Sequence, residues 1–326
     1  MTEAAVPGAR RGGASVPSVG VVIVTRGRRP RLLRAAVRAV LTQEHPGDLE
    51  LVIVVDHDPR DTPGDAVARV TAQLAPVLAS PPGRPRPRIL SNRRTPGLPG
   101  ARNTGIAALG TDLVAFCDDD DEWLPGKLRA QVAALTARPG ALFASCAIEV
   151  EYGARRSVRL AGTDTITAAA LRRSRMVMVH SSTFLFRRSA FRVDESAPGG
   201  QNEDWDLALR AAAVRPIVHV DRPLVRVRWG GSDYATRWAD RIAGLEWMLA
   251  RHAELAVDPR GAARIYGQLA FLHAALGNRA HACRWAWRAA ATRPGEPRAP
   301  LALAVAAGLI SAHRVVNLLH ARGHGV

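Results

Sequence analysis

Four consecutive aspartates, followed by a glutamate, sit in Phe116-Cys-Asp118-Asp119-Asp120-Asp121-Glu122-Trp123. Like charges packed this closely repel one another unless something neutralises them. A divalent cation carrying a diphosphate does so, and hard oxygen ligands suit Mn²⁺ or Mg²⁺, which keep positions open for phosphate oxygens. A helix start explains one or two of these acids, since acidic side chains favour a first turn and Lys127–Leu135 fits a following helix. It does not explain four that abut an apolar run.

A second acidic segment, Asn202-Glu203-Asp204-Trp205-Asp206-Leu207, has the form of a helix start, with Asn202 as cap and the acids in the first turn. Beside the aspartate run it also supplies what a metal–diphosphate site lacks, a separate carboxylate able to accept a proton. A third segment is Pro96-Gly-Leu-Pro-Gly100-Ala-Arg102-Asn103-Thr-Gly105. Its glycines let backbone approach a ligand closely, and Arg102 at a helix start suits a phosphate or a base edge. The glycines match neither the Walker pattern nor GxGxxG. Of the histidines, His45, His219, His252 and His273 lack metal-ligand spacing, whereas His180, before Ser181-Ser182, is a candidate for the acceptor side. Glu203 and Trp205 share that candidacy, although Trp205, Trp229 and Trp238 suit core packing better than sugar stacking.

These residues need a scaffold. Val19–Val24, Leu49–Val55, the stretch around Arg88–Ser91 and Asp112–Cys117 have the apolar continuity of buried strands. Between them, Arg31–Gln43, Thr62–Leu78 and Ala101–Leu109 have helical spacing. Strand alternating with helix predicts a largely parallel α/β sheet, which presents ligands at the carboxyl ends of its strands. Thr25, Asp56 and Asp118–Asp121 fall there. Further on, Ala141–Glu151, Ser181–Phe186, Ile217–Val220 and Leu224–Val227 are expected as strands and Asn202–Ala213 as a helix. From about Ala235 the pattern is helical and alanine-rich. The expected organisation is a tail over 1–18, an α/β domain over 19–234 and a helical region over 235–326.

Composition narrows the class. The 326 residues are 47% hydrophobic, enough for a core and against wholesale disorder. Lys+Arg 45 against Asp+Glu 29 leaves +16, but Lys127 is the single lysine, so the charge is almost all arginine. Arginine with abundant alanine, glycine and proline has the look of codon bias, and no aromatic-interleaved basic motif accompanies it, so no nucleic-acid partner is expected. Cys117, Cys146 and Cys283 form no metal or disulfide spacing and are expected as thiols in a cytoplasmic protein. The apolar run Ala299–Ala312 is too short to span a bilayer; peripheral contact with the inner face of the membrane, or with a protein partner through the helical tail, is left open.

Taken in order, Val-Ile-Val-Thr25, Arg31-Leu-Leu, Val-Val-Asp56, Gly100-Ala-Arg-Asn-Thr-Gly105, Phe-Cys-Asp118–Asp121-Glu-Trp-Leu-Pro125 and Glu203-Asp204-Trp-Asp-Leu resemble the family 2 glycosyltransferases over about residues 19–232. The resemblance implies the GT-A fold, a Rossmann-like, mixed but mostly parallel sheet flanked by helices, here with a small all-α C-terminal region. It implies inverting transfer of a sugar from a nucleotide-diphosphate donor, most commonly a UDP-sugar, to the hydroxyl of an acceptor that is not named. Thr25 and Asp56 match positions that hold the nucleoside, and Arg102 matches an arginine near the base or phosphates. Asp118 and Asp120 match the D-x-D carboxylates, Asp120 as direct ligand of Mn²⁺ or Mg²⁺ and Asp119 as a ribose contact. Asp204 matches the catalytic base. The chain departs from the pattern at His57, where a second aspartate is common, and at Trp229, where a histidine is frequent. Two other classes share some features: a non-catalytic partner-binding protein, and a nucleotidyltransferase, whose glycine- and lysine-rich triphosphate loop is missing. Residues Tyr266–Pro294 resemble one tetratricopeptide-like helix pair turning at Gly277, with Ala282, Ala286 and Ala289 at close-packing positions, and are expected to pack on the α/β domain or on a partner.

Overall fold

The computed structural model describes residues 16–58, 60–79, 86–229 and 237–321. Most of the expected tail, most of the Pro81–Arg88 loop and part of the expected boundary near 232–240 lie outside the described residues. The strands are β1 (Val19–Thr25), β2 (Leu49–Val55), β3 (Arg88–Ser91), β4 (Leu113–Asp118), β5 (Glu122–Trp123), β6 (Phe143–Tyr152), β7 (Arg155–Arg159), β8 (Thr165–Ile166), β9 (Leu185–Arg187) and β10 (Ile217–Arg228). The helices are α1 (Pro30–Leu41), α2 (Pro63–Leu78), α3 (Leu98–Ala108), α4 (Lys127–Thr136), α5 (Ala168–Arg173), α6 (Glu203–Val214), α7 (Trp238–Arg251), α8 (Pro259–Ala275), α9 (Arg279–Thr292), α10 (Arg298–Ala306) and α11 (Ala312–Ala321).

One sheet runs in the order β3-β2-β1-β4-β9-β6-β10-β5, with β7 on β6 and β8 on β10. Strands β3, β2, β1 and β4 are parallel, as are β6 and β10, and the short strands join antiparallel. The sheet is the expected mixed, mostly parallel GT-A type. Register brings the strand ends level: Thr25 lies opposite Val55, Val55 opposite Ser91, and Val24 opposite Asp118. The residues that leave those ends therefore share one rim.

Alternation along β1 divides the core. Val19, Val21 and Ile23 pack with Leu33, Val37 and Val40 of α1 and Val70 and Leu74 of α2, while Val22 faces Ala101 and Ile106 of α3. Two glycines of the third motif allow close packing, Gly105 onto β1 and Gly100 onto the Thr95 turn. A Cβ on Gly105 would sit 2.4 Å from a Val22 methyl, and one on Gly100 would sit 2.0 Å from the Thr95 carbonyl oxygen. Helix α3 can lie that close to β1 only without side chains there.

The C-terminal helices lie against the face of the sheet that carries α3 and α6. Trp205 and Leu207 of α6 share one continuous core with Met248 of α7 and Ile265 and Leu269 of α8. Helices α8 and α9 form the expected pair around Gly277 (φ +79°), and Ala282, Ala286 and Ala289 are buried. Among the described residues, no helix is long and apolar enough to cross a membrane.

Local expectations fail where capping or proline intervenes. Ser181–Thr183 is a 3₁₀ turn and not strand, because the Thr183 hydroxyl accepts from the His180 amide (3.3 Å) and His180 Nδ1 accepts from the Ser182 amide (3.3 Å). Ile217–Val220 and Leu224–Val227 belong to one strand, whose register against β6 slips at Pro223, a residue with no N–H to give. Asn202 makes no side-chain cap; it takes a left-handed conformation (φ 63°) that turns the chain into α6. The apolar run over Leu301–Ile310 breaks after Ala306, near Gly308 (φ +77°), and leaves Leu309 exposed.

Candidate active site

At the rim, Thr25 is buried and donates from Oγ1 to Asp119 Oδ2 (2.6 Å) while accepting from the Gly27 amide (3.0 Å). Asp56, also buried, accepts from Arg26 Nη2 (2.9 Å) on one oxygen, and from the Gly97 amide (2.8 Å) and Asn92 Nδ2 (3.1 Å) on the other. It ties together the segments that follow β1, β2 and β3. Beside it, His57 Nδ1 lies 3.3 Å from the Ser91 hydroxyl.

The four aspartates occupy different environments. Asp118 ends β4 and accepts from Arg102 Nη2 (2.8 Å) and from the Ser181 hydroxyl (2.8 Å). Against the cost of burial, Arg102, with help from His180 and Ser181, holds its carboxyl below the usual carboxylate range. Asp119 and Asp120 both pair with Arg29, Asp119 at 2.7 Å, yet burial pushes both above the ordinary range. Asp121 lies deepest. It accepts from the Ser182 hydroxyl (2.6 Å), and burial together with Asp120 and Asp118 drives it well above its ordinary value. Arg29 and Arg102 thus leave three of the four acids under electrostatic pressure.

That pressure and the carboxylate-rich donor set fit a hard divalent cation. Among the described residues, Asp118, Asp121 and His180 bring ligand atoms within 4.8 Å of one another. Asp118 and Asp120, about a quarter exposed, open outward, whereas Asp121 is sealed at 3%.

Opposite the aspartates stands the start of α6. Arg102, only 2% exposed, reaches from α3 to Glu203 Oε1 (2.5 Å) with one terminal nitrogen and to Asp118 with the other, its guanidinium carbon 5.1 Å from the centre of the Phe116 ring. One planar guanidinium therefore connects two acidic segments whose residues lie about a hundred positions from it in one case and sixteen in the other. Glu203 is pushed up to about 7 by burial, with Asp204 and Asp118 adding to the rise against the pull of Arg102. Asp204 behaves oppositely: both oxygens accept from Arg175 (3.0 and 3.1 Å), Oδ1 also accepts from the Trp205 amide (2.8 Å), and despite burial Arg175, His180 and Arg102 hold it below the usual carboxylate range. Trp205 is buried and donates its indole N–H to the Leu171 carbonyl (3.3 Å), while also lining a cavity.

All ten residues singled out in the sequence lie on this rim or against it. Thr25, Asp119 and Asp120 are joined through direct bonds and Arg29; Asp118, Arg102 and Glu203 form a second chain; and His180 faces Asp118 and Asp121 (4.0 and 3.6 Å) more closely than an acceptor position requires. Sequence reasoning missed Arg29, Arg175, Ser181 and Ser182. Arg29 carried a signal, since it sits in the basic loop directly after β1. Arg175 carried none: it is one arginine among forty-four, in a segment without periodicity.

A Rossmann-like sheet presents ligands at the carboxyl ends of its strands, and here that rim carries a pair of acidic clusters linked by one arginine. The model of the family "Glycosyl transferase family 2" matches residues 20–193, and the chain belongs to that family. An uncharacterized glycosyltransferase of Nostoc sp. is 35% identical over 108 residues, 33% of this chain and 30% of that relative, so the match spans under a third of its length. Among solved structures, S. aureus TarS 1–349 in complex with UDP-GlcNAc is similar with a TM-score of 0.55 at 12% identity, covering 94% of this chain and 92% of that one. The mannosyltransferase PcManGT of Pyrobaculum calidifontis, in complex with GDP-Man and Mn²⁺, is similar with a TM-score of 0.51 at 20% identity, covering 93% and 83%. Both share the fold.

Proposed function

We propose that this chain transfers a sugar, with inversion, from a nucleotide-diphosphate donor to an acceptor hydroxyl. The observation that carries this reading is Arg102, which holds the aspartate run and the start of α6 on opposite edges of one buried guanidinium. A leaving-group site and a base must stand in this relation for a single displacement. Family membership and the Asp118–Asp121 cluster support it.

Asp118 and Asp120, each about a quarter exposed, would hold Mn²⁺ or Mg²⁺, with Asp121 beneath them tied in through Ser182. When bound, the ion supplies positive charge to the departing diphosphate. The protein does the rest. Arg29, released from Asp119 and Asp120, is free to pair with phosphate oxygens. Thr25, Asp56 and Asp119 hold the nucleoside side. Arg175 and the Trp205 amide fix Asp204 as a carboxylate. Asp204 takes the hydroxyl proton while the acceptor oxygen bonds to the anomeric carbon, and the bond to the donor phosphate breaks on the opposite face, its electron pair leaving with the nucleoside diphosphate.

The test is a panel of UDP- and GDP-sugars with Mn²⁺, followed by nucleotide release and by calorimetric binding of the free nucleotides. Asp204→Asn is expected to lose at least a hundredfold in turnover and keep nucleotide affinity, while Asp120→Asn loses the metal dependence of binding. Turnover undiminished in Asp204→Asn removes the base assignment. Nucleotide binding indifferent to Mn²⁺ and to Asp120→Asn removes the cation site.

A further inference from the structure

A small open cavity lies beside Asp204, where the Gln201–Asn202 turn and Trp205 meet helices α7 and α8. It exists because Gly244 lets α7 press onto that turn: a Cβ there would stand 2.5 Å from the Gln201 Cβ. Its polar lining consists of Arg175, Gln201, Asn202, Arg241 and Gln268. Arg264, one turn before Gln268 on α8, places its guanidinium carbon 5.8 Å from the centre of the Trp205 ring, a wall of the cavity.

Gln201 gives this pocket a hydrogen-bond donor to offer, and Arg264, behind the Trp205 wall, adds positive charge next to it. Gln201 is 1% exposed, and its Nε2, a donor, has no partner among the described residues. Nε and Nη2 of Arg264 are buried and likewise without a partner there. A buried donor left unpaired costs stability that a bound acceptor atom restores. The charge is also only partly compensated, by Glu296. Burial, with repulsion from Arg298 and Arg175, pushes Arg264 down to about 10, while Glu296 is already engaged by Arg298 (2.8 Å) and Asp204 by Arg175.

We propose that this cavity is the acceptor subsite and that it selects an acceptor bearing an oxyanion, a phosphate or a carboxylate, held by Arg241 and Gln201, with the charge of Arg264 behind the Trp205 wall adding to the attraction, while Arg175 bridges it to Asp204. The C-terminal helices are then part of the substrate site. The assignment to an acceptor rests on the glycosyl-transfer reading; the anion site itself does not.

The experiment uses the full chain saturated with Mn²⁺ and UDP or GDP, whichever binds, and measures calorimetric affinity for glucose 6-phosphate, glucuronate and glucose, and the same sugars without nucleotide if neither binds. The expected result is saturable binding of one charged sugar, at least tenfold tighter than glucose and not displaced by nucleotide. Arg241→Gln and Arg264→Met each weaken it at least tenfold. Arg264→Met removes a buried charge without opening a polar hole, so it keeps the fold, which urea unfolding checks. Preference for glucose 6-phosphate makes the group a phosphate, and preference for glucuronate makes it a carboxylate. Equal affinity for glucose, displacement by nucleotide, or indifference to both substitutions overturns the proposal. Charged-sugar binding that responds to the substitutions in a chain that binds no nucleotide keeps the anion site and removes the glycosyl-transfer reading instead.

Discussion

Glu203 and Asp204 are neighbours with opposite protonation behaviour, and the difference comes from how each arginine is shared. Arg175 gives both bonds to Asp204, whereas Arg102 divides itself between Glu203 and Asp118. Glu203, raised from 4.5 to about 7, keeps a proton in the folded state that the unfolded chain releases. Its contribution therefore favours the fold at low pH and is lost as pH rises from 4.5 through about 7. The shift corresponds to on the order of 3 kcal/mol. Urea unfolding at pH 5, 6, 7 and 8 is expected to show a shallower decline of stability over that window in Glu203→Gln than in the parent chain; parallel declines would show that Glu203 is ionised throughout. Replacing Arg102 by glutamine strands two buried carboxylates and is expected to cost roughly 3–5 kcal/mol in the same measurement.

At the level of elements, α4 follows the aspartate run and carries the chain's one lysine into the core. Lys127 is fully buried, its Nζ has no hydrogen-bond partner among the described residues, and it lies 3.9 Å from the centre of the Trp123 ring. Burial pushes its pKa from 10.5 down to about 8. The unfolded chain holds that proton more tightly, so stability is expected to rise as pH climbs from 8 to 10.5. At pH 7 the charged form costs about 3 kcal/mol, partly offset by about 1–2 kcal/mol from the aromatic face. Lys127→Met is therefore expected to raise Tm by a few degrees and to flatten that alkaline rise; a lower Tm would mean that the ammonium has an anionic partner. Helix α4 was legible from residue spacing, and β1, β2 and β4 with the acids at their ends from apolar runs, because buried strands and helix faces need runs or repeats of apolar residues; short elements leave no such trace in the sequence. The sequence hid β5, β8 and α5, two to six residues long, which exist only through what they pair with. It hid Arg175 and the cavity for the same reason: both are made by packing α5, α6, α7 and α8 together, and no local pattern records a contact between segments that far apart.

On the scale of the whole molecule, the chain changes composition near residue 235, which suggests two domains, but its core does not divide there. Trp205 and Leu207 before the change and Met248, Ile265, Leu269 and Phe271 after it belong to one buried cluster, and α5 packs on α8. Gly261 shows how tight that junction is: a Cβ there would stand 2.1 Å from the Arg172 carbonyl oxygen, so α8 meets the end of α5 backbone to backbone. Removing the helices would expose large apolar side chains, each worth about 1.5–3 kcal/mol when buried, and an α/β unit left with that face open has no reason to survive alone. The two regions are therefore expected to unfold as one unit. Calorimetry should give a single transition with equal van't Hoff and calorimetric enthalpies, and Gly261→Val, far from the aspartate rim, should lower that single midpoint for near-UV signals from the sheet and the helices alike. Two resolved transitions, with only the helical one displaced by Gly261→Val, would mean that the shared cluster is an interface between independent domains.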